Sequence, residues 1–151
     1  GDLTLDVDGD VTIDADGGDF TIADAGNQIM KIGSTTNVAI GHYAGDAFGS
    51  SSYNIAIGKN ALTAEDGGGG NIAIGHEALK TSNDDGADYN IAIGESAMSG
   101  AWSTADVNNC VSIGYNSMAG VLTSTAVGTI AIGQGSLNAL TEGVTTSDVP
   151  N

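Results

Sequence analysis

Positive charge is almost missing from this chain: Lys31, Lys59 and Lys80, with no arginine, stand against 19 acidic residues, for a formal net charge of −16. That leaves no basic footprint for a phosphate backbone and excludes general DNA or RNA binding. Cysteine is reduced to Cys110, so no intrachain disulfide can form. Large side chains are scarce too. Two Phe, one Trp and four Tyr accompany 24 Gly and 20 Ala in 151 residues, too few to fill the thick core of an ordinary globule. No apolar run approaches the roughly 20 residues that cross a bilayer, so no membrane insertion is expected. Disorder is disfavoured as well, because 40% of the residues are hydrophobic and they recur in a pattern that a disordered chain would not need.

That pattern is a repeat. A five-residue core returns six times: Asn37-Val38-Ala39-Ile40-Gly41, Asn54-Ile55-Ala56-Ile57-Gly58, Asn71-Ile72-Ala73-Ile74-Gly75, Asn90-Ile91-Ala92-Ile93-Gly94, Cys110-Val111-Ser112-Ile113-Gly114 and Thr129-Ile130-Ala131-Ile132-Gly133. The glycines are 17, 17, 19, 20 and 19 residues apart. A second signal follows each glycine closely, as in Asn60-Ala61-Leu62, Glu77-Ala78-Leu79 and Ser96-Ala97-Met98.

Strand side chains alternate between faces, so Ile72 and Ile74 share one face and Ala73 takes the other. The β-branched pair suits a buried strand face, and the small residue between suits a face where something approaches closely. The six glycines permit a tight corner or a positive φ, after which the Ala-Leu/Met element is expected to form a second short strand. Between these elements lie polar or Gly-rich stretches such as Glu65 to Gly70 and Ser82 to Gly86, which vary in length while the core does not. This is how solenoid coils behave when insertions are confined to an edge. Six coils at the spacing of parallel strands predict a rod about 30 Å long. Asn37, Asn54, Asn71 and Asn90 read first as turn formers, with an amide ladder along the stack as the alternative.

Four segments follow. Residues 1–26 carry a shorter rhythm, Leu3-Thr4-Leu5, Val11-Thr12-Ile13 and Phe20-Thr21-Ile22, separated by Asp-Gly turns and read as short β-strands. Residues 27–36 form a transition, 37–140 the six-coil repeat domain, and 141–151 a polar tail with the lone proline, Pro150. A rod with a thin core and a face of alanines still has surface to hide, which points to self-association.

These repeats resemble those of trimeric autotransporter adhesin heads, which read close to Ser-Val-Ala-Ile-Gly, and more closely the longer-spaced Asn-Thr-Ala-Ile-Gly and Ala-Leu repeats of bacteriophage tail fibres. The likeness covers residues 37 to about 140. It implies an all-β fold, a parallel left-handed β-roll assembled as an elongated homotrimer. Val38, Ile40, Ile55, Ile57, Ile72, Ile74, Ile91, Ile93, Val111, Ile113, Ile130 and Ile132 would then be core-strand residues facing the roll interior. Gly41, Gly58, Gly75, Gly94, Gly114 and Gly133 would be the turns, and Ala56, Ala73 and Ala92 close contacts between chains. The 17-to-20-residue period departs from the adhesin repeat of about 14, and no coiled-coil stalk or membrane anchor is visible, so the resemblance favours a virion tail fibre over a bacterial cell-surface adhesin. A chain opening on Gly1 with no signal segment reads as a processed piece. Some fibres of this kind continue into a self-cleaving chaperone, whose catalytic motif is not visible here.

The implied function is a non-enzymatic structural and host-attachment module, with a host glycan or protein receptor and other virion tail proteins as partners. A fibre-associated polysaccharide depolymerase is a further alternative, and would need two carboxylates about 5 to 9.5 Å apart in a groove. Recognition is expected in loops, since the strands are committed to the stack. Trp102, in the most eccentric loop, with Tyr89 and Tyr115 beside neighbouring strands, forms the candidate receptor-binding set. Covering a core edge is the other reading of Trp102, as of Tyr43, Phe48 and Tyr53.

No cofactor or metal is expected. His42 and His76 follow equivalent glycines, but Lys59, Glu95, Tyr115 and Gln134 fill that place elsewhere, so both histidines read as surface residues. Asp6-Val7-Asp8-Gly9-Asp10 fails the EF-hand test, because Val11 stands where glycine is required and no Glu closes the loop. A looser Ca²⁺ or Mg²⁺ site from stacked N-terminal aspartates is the alternative to solvated turn carboxylates.

Overall fold

The computed structural model describes residues 20–32, 36–46, 48–49, 51–63, 68–80, 87–100, 107–120 and 126–138. The triplets Leu3-Thr4-Leu5 and Val11-Thr12-Ile13, the N-terminal aspartates, Trp102 and the 141–151 tail lie outside them. The chain is an all-β, parallel β-solenoid. Among the described residues, β1 (Phe20–Asp24) and β2 (Asn27–Ile32) come first, followed by β3 (Val38–Ile40), β4 (Ile55–Ile57), β5 (Ile72–Ile74) and β6 (Ile91–Ile93). The last four are β7 (Val107–Asn108), β8 (Val111–Ile113), β9 (Ala126–Val127) and β10 (Ile130–Ile132).

One eight-stranded sheet runs β1-β2-β3-β4-β5-β6-β8-β10. From β3 onward every pairing is parallel and in register, Ile55 on Ile72 on Ile91, Ala56 on Ala73 on Ala92. The β1–β2 hairpin instead pairs antiparallel with β3. It therefore closes one end of the stack, and the stretch read as a transition supplies its inner strand. A second wall is built by β7 on β9, also parallel.

The faces of the repeated strand are opposite to those the resemblance implied. Each strand has a buried centre between two partly or fully exposed ends. Ala56, Ala73 and Ala92 are wholly inaccessible and fill the inside of the coil, so they are not available as contacts between chains. The branched pairs project outward in two ladders, Val38-Ile55-Ile72-Ile91-Val111-Ile130 and Ile40-Ile57-Ile74-Ile93-Ile113-Ile132. Room decides this. The lumen already holds, on its opposite side, Ala61, Ala78 and Ala97 with Leu62, Leu79 and Met98, all buried, and a layer this thin accepts a methyl group from the strand but not a pair of isoleucines.

The expected second strand after each glycine is also replaced. Asn60 and Leu62, Glu77 and Leu79, Ser96 and Met98 all have positive φ, which no β-strand tolerates. These residues instead form consecutive turns whose backbone bonds step between coils, as Asn60 N–H to His42 O at 3.0 Å and Leu62 N–H to Ala78 O at 3.0 Å. The first coil departs in an instructive way. Gly45 stands where the others have Leu or Met, and a side chain there would collide with the Phe48 ring. Phe48, from three residues on, thus fills the vacated core position and is buried.

The corners depend on glycine for two reasons at once. Gly58, Gly75, Gly94 and Gly114 have φ between 126° and 137°, and each lies so close to the next corner that an added Cβ would come within 2.5 to 2.7 Å of backbone atoms there.

Candidate functional site

Inside the corner that precedes each strand, the asparagines form a ladder, the reading held second in the sequence. Asn37 Oδ1 accepts the Asn54 N–H at 2.8 Å, Asn54 Oδ1 that of Asn71 at 2.8 Å, Asn71 Oδ1 that of Asn90 at 2.9 Å, and Asn90 Oδ1 that of Cys110 at 2.9 Å. Each Nδ2 donates across its coil to a carbonyl, Ser51, Gly68, Ala87 and Val107 in turn. Buried polar groups are stabilising only when paired, and here both ends of each amide are.

Cys110 takes the next rung. It is fully buried, its Sγ lies 3.5 Å from the Ala126 carbonyl where the asparagine Nδ2 would be, and burial pushes its thiol upward, opposed by backbone hydrogen bonds from Thr129 and Gly128. A weak thiol donor therefore does the work of an amide. Cys110→Asn is expected to raise stability by about 1 kcal/mol, the net worth of a typical hydrogen bond. Urea denaturation that shows a loss of stability would mean the cysteine is there for its size.

Outside, the twelve branched side chains make one face without a charged residue, in a chain of net charge −16. Two rows of corner residues border it. The row before the strands contains Tyr53, Gly70 and Tyr89; the row after them contains His42, Lys59, His76, Glu95 and Tyr115. Tyr89 and Tyr115, proposed together from sequence, therefore stand at opposite borders of the face. Tyr53 shares a row with Tyr89, and both are well exposed, at 73% and 67%. Between them Gly70 leaves room for the Tyr89 ring, since a Cβ there would lie 2.6 Å from Cδ1.

The charged groups of the second row are solvated. Lys80 Nζ donates to Glu77 Oε1 at 2.7 Å, and His76 lies 3.8 Å from both Glu77 and Glu95. The Lys80 hydrogen bond holds the Glu77 carboxyl below its usual range. A depressed carboxyl contributes stability above its unfolded pKa that is lost as pH falls through the folded value, but an exposed pair of this kind contributes little. Among the described residues, no group of three or more His, Cys, Asp or Glu could hold a metal ion.

A cavity of about 280 Å³ lies where the hairpin meets the first coil, lined by Gly26, Asn27, Gln28, His42, Tyr43 and Asp46. Gln28 ties the two parts together through Nε2 to the Ala44 carbonyl at 3.1 Å, and Gly41 N–H donates to Ile29 O at 2.7 Å. The His42 and Tyr43 rings stack with centroids 3.8 Å apart and planes 28° from parallel. Sequence reading had no signal for this grouping, because its halves come from segments that follow different rhythms.

No protein-family model, curated protein sequence or solved structure matches this chain. The fold defines it as a structural domain of the β-solenoid class, built of stacked sequence repeats.

Proposed function

We propose that the chain is a non-enzymatic shaft and host-attachment module of a virion tail fibre, and that it works as a homotrimer packed through the two outward branched ladders. The observation that carries the reading is the uncharged ladder face. Spanning six strands and three residues, it covers about 24 by 10 Å, and side chains standing on it bring the apolar patch to a few hundred Å², the size of the largest patch on a typical monomer and one that often marks an interaction site. Chains of like charge approach each other most cheaply on a surface that carries no charge. The three-fold count follows the resemblance to fibre and adhesin repeats. Attachment to a host glycan or protein falls to corner and loop residues, with the exposed Tyr89 and Tyr115 as first candidates beside Trp102, which lies outside the described residues.

Light scattering tests the assembly. The expected mass is three times the 14.9 kDa of the chain, and Ile57→Asp combined with Ile74→Asp is expected to reduce it to that of the single chain. Both side chains point away from the lumen, so the far-ultraviolet spectrum of the variant should keep its β character. A wild-type protein that is monomeric, or a double variant that remains trimeric, would sink the ladder interface.

A further inference from the structure

We infer that the cavity between the β1–β2 turn and the first solenoid corner binds a single neutral pyranose ring, with Tyr43 as the stacking platform and Asp46 and Asn27 reading its hydroxyls. This deepens the attachment half of the proposed function and rests on it for its biological meaning, while the binding itself does not need the trimer.

Size comes first. At about 280 Å³ the cavity falls just under the roughly 300 to 1,000 Å³ of pockets that enclose drug-sized ligands, so it suits one ring with its neighbours outside. The chemistry of the lining then selects among small rings. The stacked His42–Tyr43 pair offers a flat π surface, and Tyr43 is half exposed at 51%, so a face of axial C–H groups can lie against it. Around that surface stand a carboxylate, Asp46, which accepts only, and an amide, Asn27, which both donates and accepts. Neighbouring hydroxyls, each donor and acceptor, complement such a set. Gly26 contributes no side chain and leaves the entrance open.

Charge removes the principal competitors. No lysine is among the lining residues, so a phosphate, sulfate or carboxylate would enter beside Asp46 without a fixed countercharge, against the field of a chain at −16. A neutral ring meets neither obstacle. The backbone that carries the site is tied together before any ligand arrives, because Gln28 is fixed on Ala44 O and the corner carrying Tyr43 is locked by the coil-to-coil bonds of Gly45 and Asn60. Holding that backbone in advance lowers the ordering cost of binding.

Saturation-transfer NMR on the intact chain, with glucose, galactose and N-acetylglucosamine as separate probes at tens of millimolar, tests the inference. Ring C–H signals of at least one of them are expected to receive saturation, with a dissociation constant in the millimolar range. Tyr43→Asn places at this corner the residue found at Asn60 in the next coil, which has the same φ of 57°, so the variant keeps the backbone. It should weaken binding about tenfold or more, Asp46→Asn should weaken it several-fold, and Glu95→Gln, at an exposed corner outside the cavity lining, should leave it unchanged. Glucose 6-phosphate is expected to bind more weakly than glucose. The inference is overturned if none of the three neutral sugars receives saturation, if Tyr43→Asn binds as the parent does, or if the phosphate ester binds best. Light scattering and adsorption to host cells, measured on the same samples, separate the two readings: adsorption that persists without sugar binding overturns this inference alone, and a monomer that binds sugar overturns the trimer alone.

Discussion

Gly75→Ala is expected to lower stability by about 2 to 6 kcal/mol, the sum of a strained backbone and an overpacked contact. At φ 137° an L side chain is already disfavoured, and the new methyl carbon would stand 2.5 Å from the Gly94 carbonyl oxygen and 2.6 Å from its carbon. Backbone cannot swing aside as a side chain can. To make room the two coils must part, which stretches the 2.8 Å bond from Gly94 N–H to Ile74 O and the rungs beside it. Gly133 supplies the control, because it has φ 120° but no atom within 4 Å of its added Cβ. Gly133→Ala therefore suffers only the conformational part, about 1 to 3 kcal/mol. Thermal and urea denaturation of the two variants in parallel measure the difference, and equal losses would show that stacking of the corners contributes nothing.

Asn71→Ala should cost a comparable amount by another route. The Asn90 N–H and the Ala87 carbonyl would both lose their partners, and each buried group left unsatisfied costs about 1 to 3 kcal/mol. Asn71→Asp separates hydrogen bonding from shape. The carboxylate can still accept from Asn90 N–H, but its second oxygen would face the Ala87 carbonyl oxygen at the 2.6 Å now spanned by a hydrogen bond. Burial and that opposing dipole raise the carboxyl pKa in the folded state. The sign follows from linkage: stability is fullest below the unfolded pKa, where the acid is protonated and can donate to Ala87, and falls as pH rises through the folded value. Stability of Asn71→Asp that does not change between mildly acidic and neutral pH would contradict the ladder.

Much of the architecture can be read from periodicity. The recurrence of branched-small-branched triplets before glycine locates the six strands β3, β4, β5, β6, β8 and β10, because each copy must pair with the next in the same register, whereas the parallel pair β7 and β9 carries no such triplet. The side of the strand that faces inward was not legible. Val38-Ala39-Ile40 and its successors are apolar on both faces, so alternation shows that isoleucine and alanine oppose each other but marks neither as inside. Nor did Leu62 or Leu79 announce a turn, since leucine seldom takes a positive φ; the coil-to-coil bonds stabilise it there. Phe48 in the core of the first coil follows from Gly45, a substitution whose consequence appears only when the coils are superposed.

The sequence by itself determined the period, the positions of the six repeated strands, the corners and the absence of charge from those strands, because these depend on residue order and on the local reach of the chain. The tertiary structure decided which face is inside, that the asparagines form a continuous ladder, and that Asn27 meets Tyr43 across a cavity. Each of these depends on the width of the lumen or on the stacking of segments distant in sequence. A lumen lined by Ala, Leu and Met on its far side admits only alanine or serine from the strand, and the isoleucines are thereby left facing outward.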